Sequence, residues 1–308
     1  MSQGPMEKKN FLCVGLICVD IMNHVEKFPT EDSDNRASDQ YWQRGGNASN
    51  NCTVLSLLGE NVSIFGTIAN SNELGFLQDD FKKYNISFNN CPIKENVTCP
   101  LSIAIVNKQN GSRTIIHHNR NLPELTSDEF SKLDLKNFDW IHFEGRPSVD
   151  EISGMLQIID TFNEKYDKKI RTSVELEKKR ETLKLLADRA DVIFVSKGHA
   201  SMLGYNKKED ALLHYLKKCR PKATVIVPWA EEGAVGQVQG QDQMFHSPCF
   251  SPDKVIDTLG AGDTFVASCI QALSRDLPLA HALKIACKVA GFKCGIKGYD
   301  GISKNLIV

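Results

Sequence analysis

The 308-residue sequence has no apolar run approaching the roughly 18 residues that a membrane-spanning helix needs. Its first ten residues, Met1 to Asn10, are polar and contain no signal-peptide core. The first hydrophobic stretch, Phe11 to Val19, stops at Asp20 without a small-residue cleavage pattern, so it reads as a buried strand and the chain as cytoplasmic. An excess of one charge is also missing. With 37 basic and 38 acidic side chains the formal net charge is −1, which gives no basis for wholesale binding to nucleic acid or to an anionic membrane. The ten cysteines include no CxxC pair, and no His/Cys cluster has zinc-ligand spacing. Cys13, Cys18 and Cys269 lie in apolar segments and read as small core residues, reduced in a cytosolic chain. His117 and His118 are adjacent, so on a strand they face opposite ways and do not share a site. No repeat, low-complexity tract, Walker-type Gly-Lys-Ser/Thr loop or dinucleotide fingerprint is present.

What is present is a recurring unit: a short apolar run followed by a helix-compatible polar stretch. Trp140–Phe143 precedes a periodic segment over 149–164, and Arg171–Leu176 precedes a Lys/Glu-rich helix expected over 178–189. Val192–Val195 precedes a helix near 208–218, and Thr224–Val227 is a further strand. Such alternation predicts parallel strands joined by crossover helices, and the β-branched runs predict a sheet covered on both faces. Two pieces depart from this rhythm. The segment 23–42 is polar and alternating, while 102–106 and 113–117 flank a short loop with Asn110-Gly111, a hairpin signal. Neither carries a crossover helix, so both are expected in a small β-sheet standing over a site.

Three stretches carry chemistry. Val255–Ile256 runs into Asp257-Thr258-Leu259-Gly260-Ala261-Gly262-Asp263, and an apolar-periodic helix follows. Small residues at a helix N-terminus let backbone N–H groups approach an anion closely, with the helix dipole favouring it. A transferring phosphoryl group would be stabilised there, and Asp263 could take the proton of an attacking hydroxyl; the plainer alternative is an Asp at a helix start after a Gly turn. The second stretch, Gly45-Gly46-Asn47-Ala48-Ser49-Asn50, puts two amides on the first turn of a helix, suited to vicinal hydroxyls or, more plainly, to capping. Asp20, expected at the end of the first strand, could accept two hydroxyl hydrogen bonds where open α/β sheets place ligands.

Together these residues resemble the PfkB, or ribokinase, family of carbohydrate kinases. Asp257-Thr258-x-Gly260-Ala261-Gly262-Asp263 is similar to its C-terminal signature and Gly45-Gly46-Asn47 to its N-terminal one, and the resemblance runs from about Phe11 to Ile302. Within the family, Trp42–Asn50, Cys52–Gly59, Glu144-Gly145-Arg146, Phe194–Lys197 and Trp229–Gly233 resemble the branch that phosphorylates fructose at its 1-hydroxyl. The resemblance implies a ribokinase-like, doubly wound and mainly parallel sheet flanked by helices, over residues 10–302, with lid strands at about 21–43 and 99–119. Residues 1–9 and 303–308 are expected as tails. It implies Asp263 as base, Gly260, Ala261 and Gly262 as anion hole and Arg113 as a lid arginine reaching the phosphate. Asp20, Gly46, Asn47 and Asn50 are then sugar contacts, and Asp32 a lid carboxylate that reaches the partner subunit's sugar in a homodimer of interlocked lids. Ala230, Glu231, Glu232 and Gly233 would line the nucleotide. ATP and Mg²⁺ are implied, with K⁺ as a possible activator and no assigned metal ligand. Val266 departs from the branch pattern, which has Asn there, and the segment 85–100 also departs. A kinase for another sugar or a nucleoside, or a silent sugar-binding protein, are the competing readings.

Overall fold

The computed structural model describes residues 7–307. Strand β1 (Asn10–Val14) opens the main sheet, and β2 (Cys18–Val25) and β3 (Asp39–Gly45) leave it for a smaller one. Helix α1 (Asn47–Leu57) and β4 (Asn61–Phe65) return to the main sheet. Short strands β5 (Ile68–Ala69), β6 (Ile86–Ser87) and β7 (Ile93–Lys94) surround α2 (Leu74–Lys83). Strands β8 (Leu101–Asn107) and β9 (Arg113–His118) then complete the small sheet. After α3 (Ser127–Phe130) come β10 (Trp140–Glu144), α4 (Val149–Lys165), β11 (Arg171–Leu176) and β12 (Val192–Val195). They are followed by α5 (Lys197–Met202), α6 (Lys208–Leu216), β13 (Thr224–Pro228), β14 (Ala234–Val238) and β15 (Phe245–Ser247). Two long helices, α7 (Ala261–Ser274) and α8 (Leu279–Cys294), close the fold.

The main sheet has nine strands in the order β15-β14-β13-β12-β11-β10-β1-β4-β6. From β6 to β13 every pairing is parallel, and only the β13–β14 and β14–β15 pairs are antiparallel. Two separate apolar cores cover its faces. One contains residues of α1, α2, α7 and α8, among them Val54, Phe81, Ile270 and Leu283. The other contains Phe130, Met155, Leu156 and Tyr215 of α3, α4 and α6. A sheet buried on both faces requires the near-continuous apolar strands seen in the sequence. No helix among the described residues is long and apolar enough to cross a membrane.

Four expectations need correction. The run Phe11–Val19 is not one strand: the chain turns at Gly15, where a Cβ would lie 2.7 Å from Glu144 Cβ and 2.8 Å from Ala48 Cβ, and enters β2. Asp20 therefore sits inside β2 of the small sheet instead of ending the first strand. The helix expected over 178–189 is only a 3-10 turn, Glu181–Leu186. Leu183 and Leu186, both fully buried, are its apolar anchors, and a spacing of three is the one that a 3-10 turn aligns. The stretch 303–308 is not wholly a tail, because Leu306 and Ile307 rest against the core, while residues 1–6 and 308 lie outside the described residues.

The small sheet runs β3-β2-β8-β9, with an exposed segment, 26–38, between its first two strands in sequence. Register gives its two faces different characters. Trp42, Ile21, Ile103 and Ile116 form one cross-strand row. Gln43, Asp20, Ser102 and His117 form the next, which by strand alternation faces the other way.

Candidate active site

Helices α1 and α7 pack against each other on one face of the main sheet, and their N-termini meet above the carboxyl ends of β1, β10 and β11. Asp263 lies in the first turn of α7 and is only 7% exposed. Its Oδ2 accepts a hydrogen bond from Asn50 Nδ2 at 2.7 Å, and its backbone carbonyl accepts one from Asn51 Nδ2 at 2.9 Å. Burial pushes the Asp263 carboxyl up to about 7; the Asn50 hydrogen bond opposes the rise, and the Glu177 charge adds to it. A carboxylate poised near neutrality beside an anion-binding backbone can act as a general base.

The backbone before it is built for close approach. Gly260 has φ +75°, and a Cβ there would fall 1.9 Å from the Tyr299 hydroxyl. No side chain caps α7, and a Cβ at Gly262 would meet nothing within 4 Å. The Gly262 Cα thus faces open space; the Ala261 amide donates to the Thr258 carbonyl at 3.3 Å, and the amides that follow it stand at a helix start where phosphate oxygens could be received. From the small sheet, exposed Arg113 donates a hydrogen bond from Nη1 to Thr258 Oγ1, so it reaches the motif in this closed arrangement.

The other half of the site centres on α1. Gly46 precedes the helix at φ +98°, with no room for a Cβ, which would fall 2.0 Å from Leu16 O. Gly45 is equally constrained, since a Cβ there would fall 2.3 Å from Asp20 Oδ2. These two glycines let the small sheet close against the start of α1. Burial raises the Asp20 carboxyl, partly offset by hydrogen bonds from Ser102 and Cys18. Asn47 donates to Glu175 Oε2 at 3.2 Å and accepts from Lys178 Nζ at 3.3 Å.

Sequence reasoning assigned no role to several residues that the structure brings here. Glu144 ends β10, and Glu175, one residue before the end of β11, is in register with it. Glu144 Oε2 accepts from the amides of Leu16 (3.0 Å) and Ala48 (3.2 Å). Burial alone would raise its pKa, but Arg146, Lys178 and these amides hold it below the usual range. Glu175 is driven well up by burial and by the Asp263 charge. Lys178 is held above its usual value because Glu144 and Glu177 outweigh the effect of its burial. The signal in the sequence was a carboxylate at or next to the end of each of two apolar strands, which strand patterning alone does not assign.

Other expected residues lie apart. Asp32 is in the exposed segment between β2 and β3, at φ +58°. Ala230–Glu232 form a 3-10 turn after β13, closed by Gly233 at φ +78°. The Glu231 side chain pairs with Lys197 at 2.9 Å on the surface, and that of Glu232 approaches the largely covered Lys208 at 3.9 Å. Val266, 1% exposed, belongs to the core under α1 and is not in the cluster.

Comparison with known proteins gives the family and the fold. Residues 8–303 match the model of the pfkB family carbohydrate kinases. Mouse ketohexokinase is 46% identical over 300 residues, covering 96% of this chain and all of that one. In fold, the Arabidopsis thaliana ribokinase complexed with ribose and ATP superposes with a TM-score of 0.79 at 17% identity, over 98% of both chains. The nucleoside kinase of Methanocaldococcus jannaschii does so with a TM-score of 0.72 at 18% identity, again over 98% of both.

Proposed function

This chain belongs to the pfkB family of carbohydrate kinases, and on that premise we propose that it transfers the γ-phosphoryl group of ATP to the 1-hydroxyl of D-fructose, giving fructose 1-phosphate and ADP. The observation that carries the reading is the Asn50–Asp263 hydrogen bond of 2.7 Å. It joins the helix that offers hydroxyl-binding groups to the helix that offers a base and an open N-terminus. The acceptor is argued from the 46% identity to mouse ketohexokinase along nearly the whole chain.

In this mechanism Asp20, Asn47 and Asn50, set by the Gly46 turn, hold the sugar hydroxyls. Asp263 takes the proton as the hydroxyl oxygen attacks in line. The amides of Gly260, Ala261 and Gly262, with Arg113, offset the charge that develops on the phosphoryl oxygens. Little covalent work falls to the protein, so positioning and electrostatics carry the rate. The small sheet acts as a lid, and Arg113 is its reach into the phosphate site. The turn 230–233 borders the nucleotide.

Among the described residues no group of three or more His, Cys, Asp or Glu side chains is arranged to hold a metal ion. The carboxylate of Glu177, just past the end of β11, would suit a hard, water-clad Mg²⁺ of the kind that enters on a nucleotide. When bound, it would neutralise phosphate charge. Potassium activation is a separate expectation, read by comparing turnover in KCl and NaCl.

A homodimer paired through the lids is supported by the exposed row of Trp42 (45%), Ile103 (41%) and Ile116 (62%) on the outer face of the small sheet. A row of this kind invites a second sheet. Asp32 would then serve the neighbouring site. Mixing Asp32→Ala with Asp263→Asn protomers should restore activity that neither has alone; a mixture as inactive as its parts removes the shared site.

The decisive assay is ADP release with MgATP and D-fructose, ribose or adenosine, alongside Asp263→Asn. Fructose-dependent turnover falling by about 10² or more in the variant is expected for loss of a general base, with ³¹P NMR placing the phosphate on C1. Activity with ribose or adenosine alone would move the substrate, and no turnover with any acceptor would leave a sugar-binding protein.

A further inference from the structure

The segment that delivers the anion hole has little regular structure of its own. Residues 251–260 form no strand or helix, and Val255 and Ile256 are each 53% exposed. Such a segment needs an external hold if the amides that follow it are to stay aimed. Two holds come from the end of α8. The Cys294 carbonyl accepts from the amides of Ile256 (2.8 Å) and Asp257 (3.2 Å). Beside it, Lys293 is fully buried, a rare state for lysine that requires a partner. Its ammonium donates to Asp257 Oδ2 at 2.6 Å and to the Asp257 carbonyl at 3.1 Å.

Asp257 passes that hold on in both directions. Its Oδ1 accepts from Leu259 N at 2.9 Å, the residue immediately before Gly260, and its Oδ2 also accepts from Gly298 N at 3.1 Å. The Lys293 ammonium lies 5.5 Å from the ring centroid of Tyr299, whose hydroxyl in turn occupies the space where a Cβ of residue 260 would be. The Tyr299 hydroxyl is buried without a hydrogen-bond partner, so packing against Gly260 is what it contributes. Two neighbouring groups on one side of the motif therefore fix its two ends, Asp257 through a charge and Gly260 through a contact surface.

We propose that Lys293 is a positioning residue for phosphoryl transfer: its buried ammonium, through Asp257, sets the aim of the Gly260–Gly262 amides. The inference rests on the kinase reading of the site but concerns a residue that touches neither sugar nor nucleotide. An anion hole acts on the transition state more than on bound substrate. Losing its aim should therefore lower kcat while leaving the sugar contacts on α1 and β2 intact.

The test uses the full-length protein as Lys293→Ala and Lys293→Met, the second keeping side-chain volume in case the first fails to fold. Expected is a fall in kcat of about 10²-fold in each, the scale of a misplacement of about 1 Å, with the sugar KM changed less than about threefold. Propylammonium, which supplies the missing carbons and charge, should restore Lys293→Ala severalfold but not Lys293→Met, and tetramethylammonium should restore neither. A purely structural lysine would show no such selectivity. Hydrogen exchange at amides 257–263 should rise in both variants and be slowed by propylammonium in Lys293→Ala. That readout is independent of the acceptor: an inactive wild type would sink the kinase reading, whereas unchanged exchange would sink this one. Unaltered kcat, or a loss of sugar binding without amine rescue, overturns the proposal as well.

Discussion

Replacing Asn50 by Ala tests whether Asp263 is the base. The Asp263 carboxyl stands at about 7, raised by burial and held from rising further by the Asn50 hydrogen bond. A hydrogen bond to a charged group contributes about 1.5–3 kcal/mol, and one pKa unit corresponds to about 1.36 kcal/mol. Its removal should therefore lift the carboxyl by about one to two units. With a one-unit lift, the ionised fraction at pH 7 falls from about one half to about one tenth, a loss of about fivefold in working base. The sign follows from the chemistry: the base acts as a carboxylate, so kcat/KM falls as pH drops through the folded pKa, and the variant falls earlier. Asn50 also holds sugar in this reading, which adds a loss that does not vary with pH. The wild-type to variant ratio of kcat/KM separates the two, declining about tenfold between pH 6 and pH 9 if only the first depends on protonation. Direct ADP quantitation at saturating MgATP measures it. A flat ratio, or a wild-type acid limb at the ordinary carboxylate pH of about 4, would refute the assignment.

The same raised carboxyl predicts a trade between stability and turnover. A carboxylate whose folded pKa lies above its unfolded value loses stability as pH rises from about 4 to about 7, so Asp263→Asn should raise Tm at pH 8 by several degrees; a lower Tm would contradict the burial argument. Gly260→Ala combines a left-handed backbone, which costs an L-residue about 1–2 kcal/mol, with overlap on the Tyr299 hydroxyl. Turnover and Tm should both fall, and adding Tyr299→Phe should return part of the Tm, as calorimetry would report. Arg113 is exposed, so Arg113→Ala should leave Tm within about 2 °C while reducing kcat/KM about 10²-fold; an equal loss of both would make it a structural residue.

Much of the architecture was readable because the strands are buried on both faces and announce themselves as apolar runs. Trp140–Glu144, Arg171–Leu176 and Val192–Val195 follow that logic, whereas the hairpin around Asn110-Gly111, whose strand β9 is exposed throughout, was readable from its turn residues. The failures share a cause, which is tertiary context overriding a local pattern. Phe11–Val19 reads as one strand because nothing local marks Gly15 as the position where Glu144, far along the chain, leaves no room for a Cβ. The segment 178–189 reads as helix on propensity, but burial of Leu183 and Leu186 takes only a 3-10 turn. Of the site, the two glycine-rich motifs were legible, since close approach demands small residues. Glu144, Glu175 and Lys178 were not, because their meaning lies in which strand ends and turns meet above α1.

That meeting explains a division of labour between two helix starts. Both α1 and α7 present unpaired amides and a positive dipole end to one cleft, and two identical anion sites would compete for phosphate. The protein fills one of them itself: the carboxylate of Glu144 accepts from Ala48 N in the first turn of α1 and from Leu16 N beside it. With its charge met, α1 is left offering Asn47 and Asn50, neutral groups suited to hydroxyls. On helix α7 the Ala261 amide donates to the Thr258 carbonyl, and the Gly262 and Asp263 amides would, in the proposed mechanism, be the place for the charged group. In the proposed mechanism phosphate would go to the side where Asp263 stands and the neutral acceptor to the side where Asn50 stands, with the 2.7 Å bond between them holding the base beside the hydroxyl-binding amides.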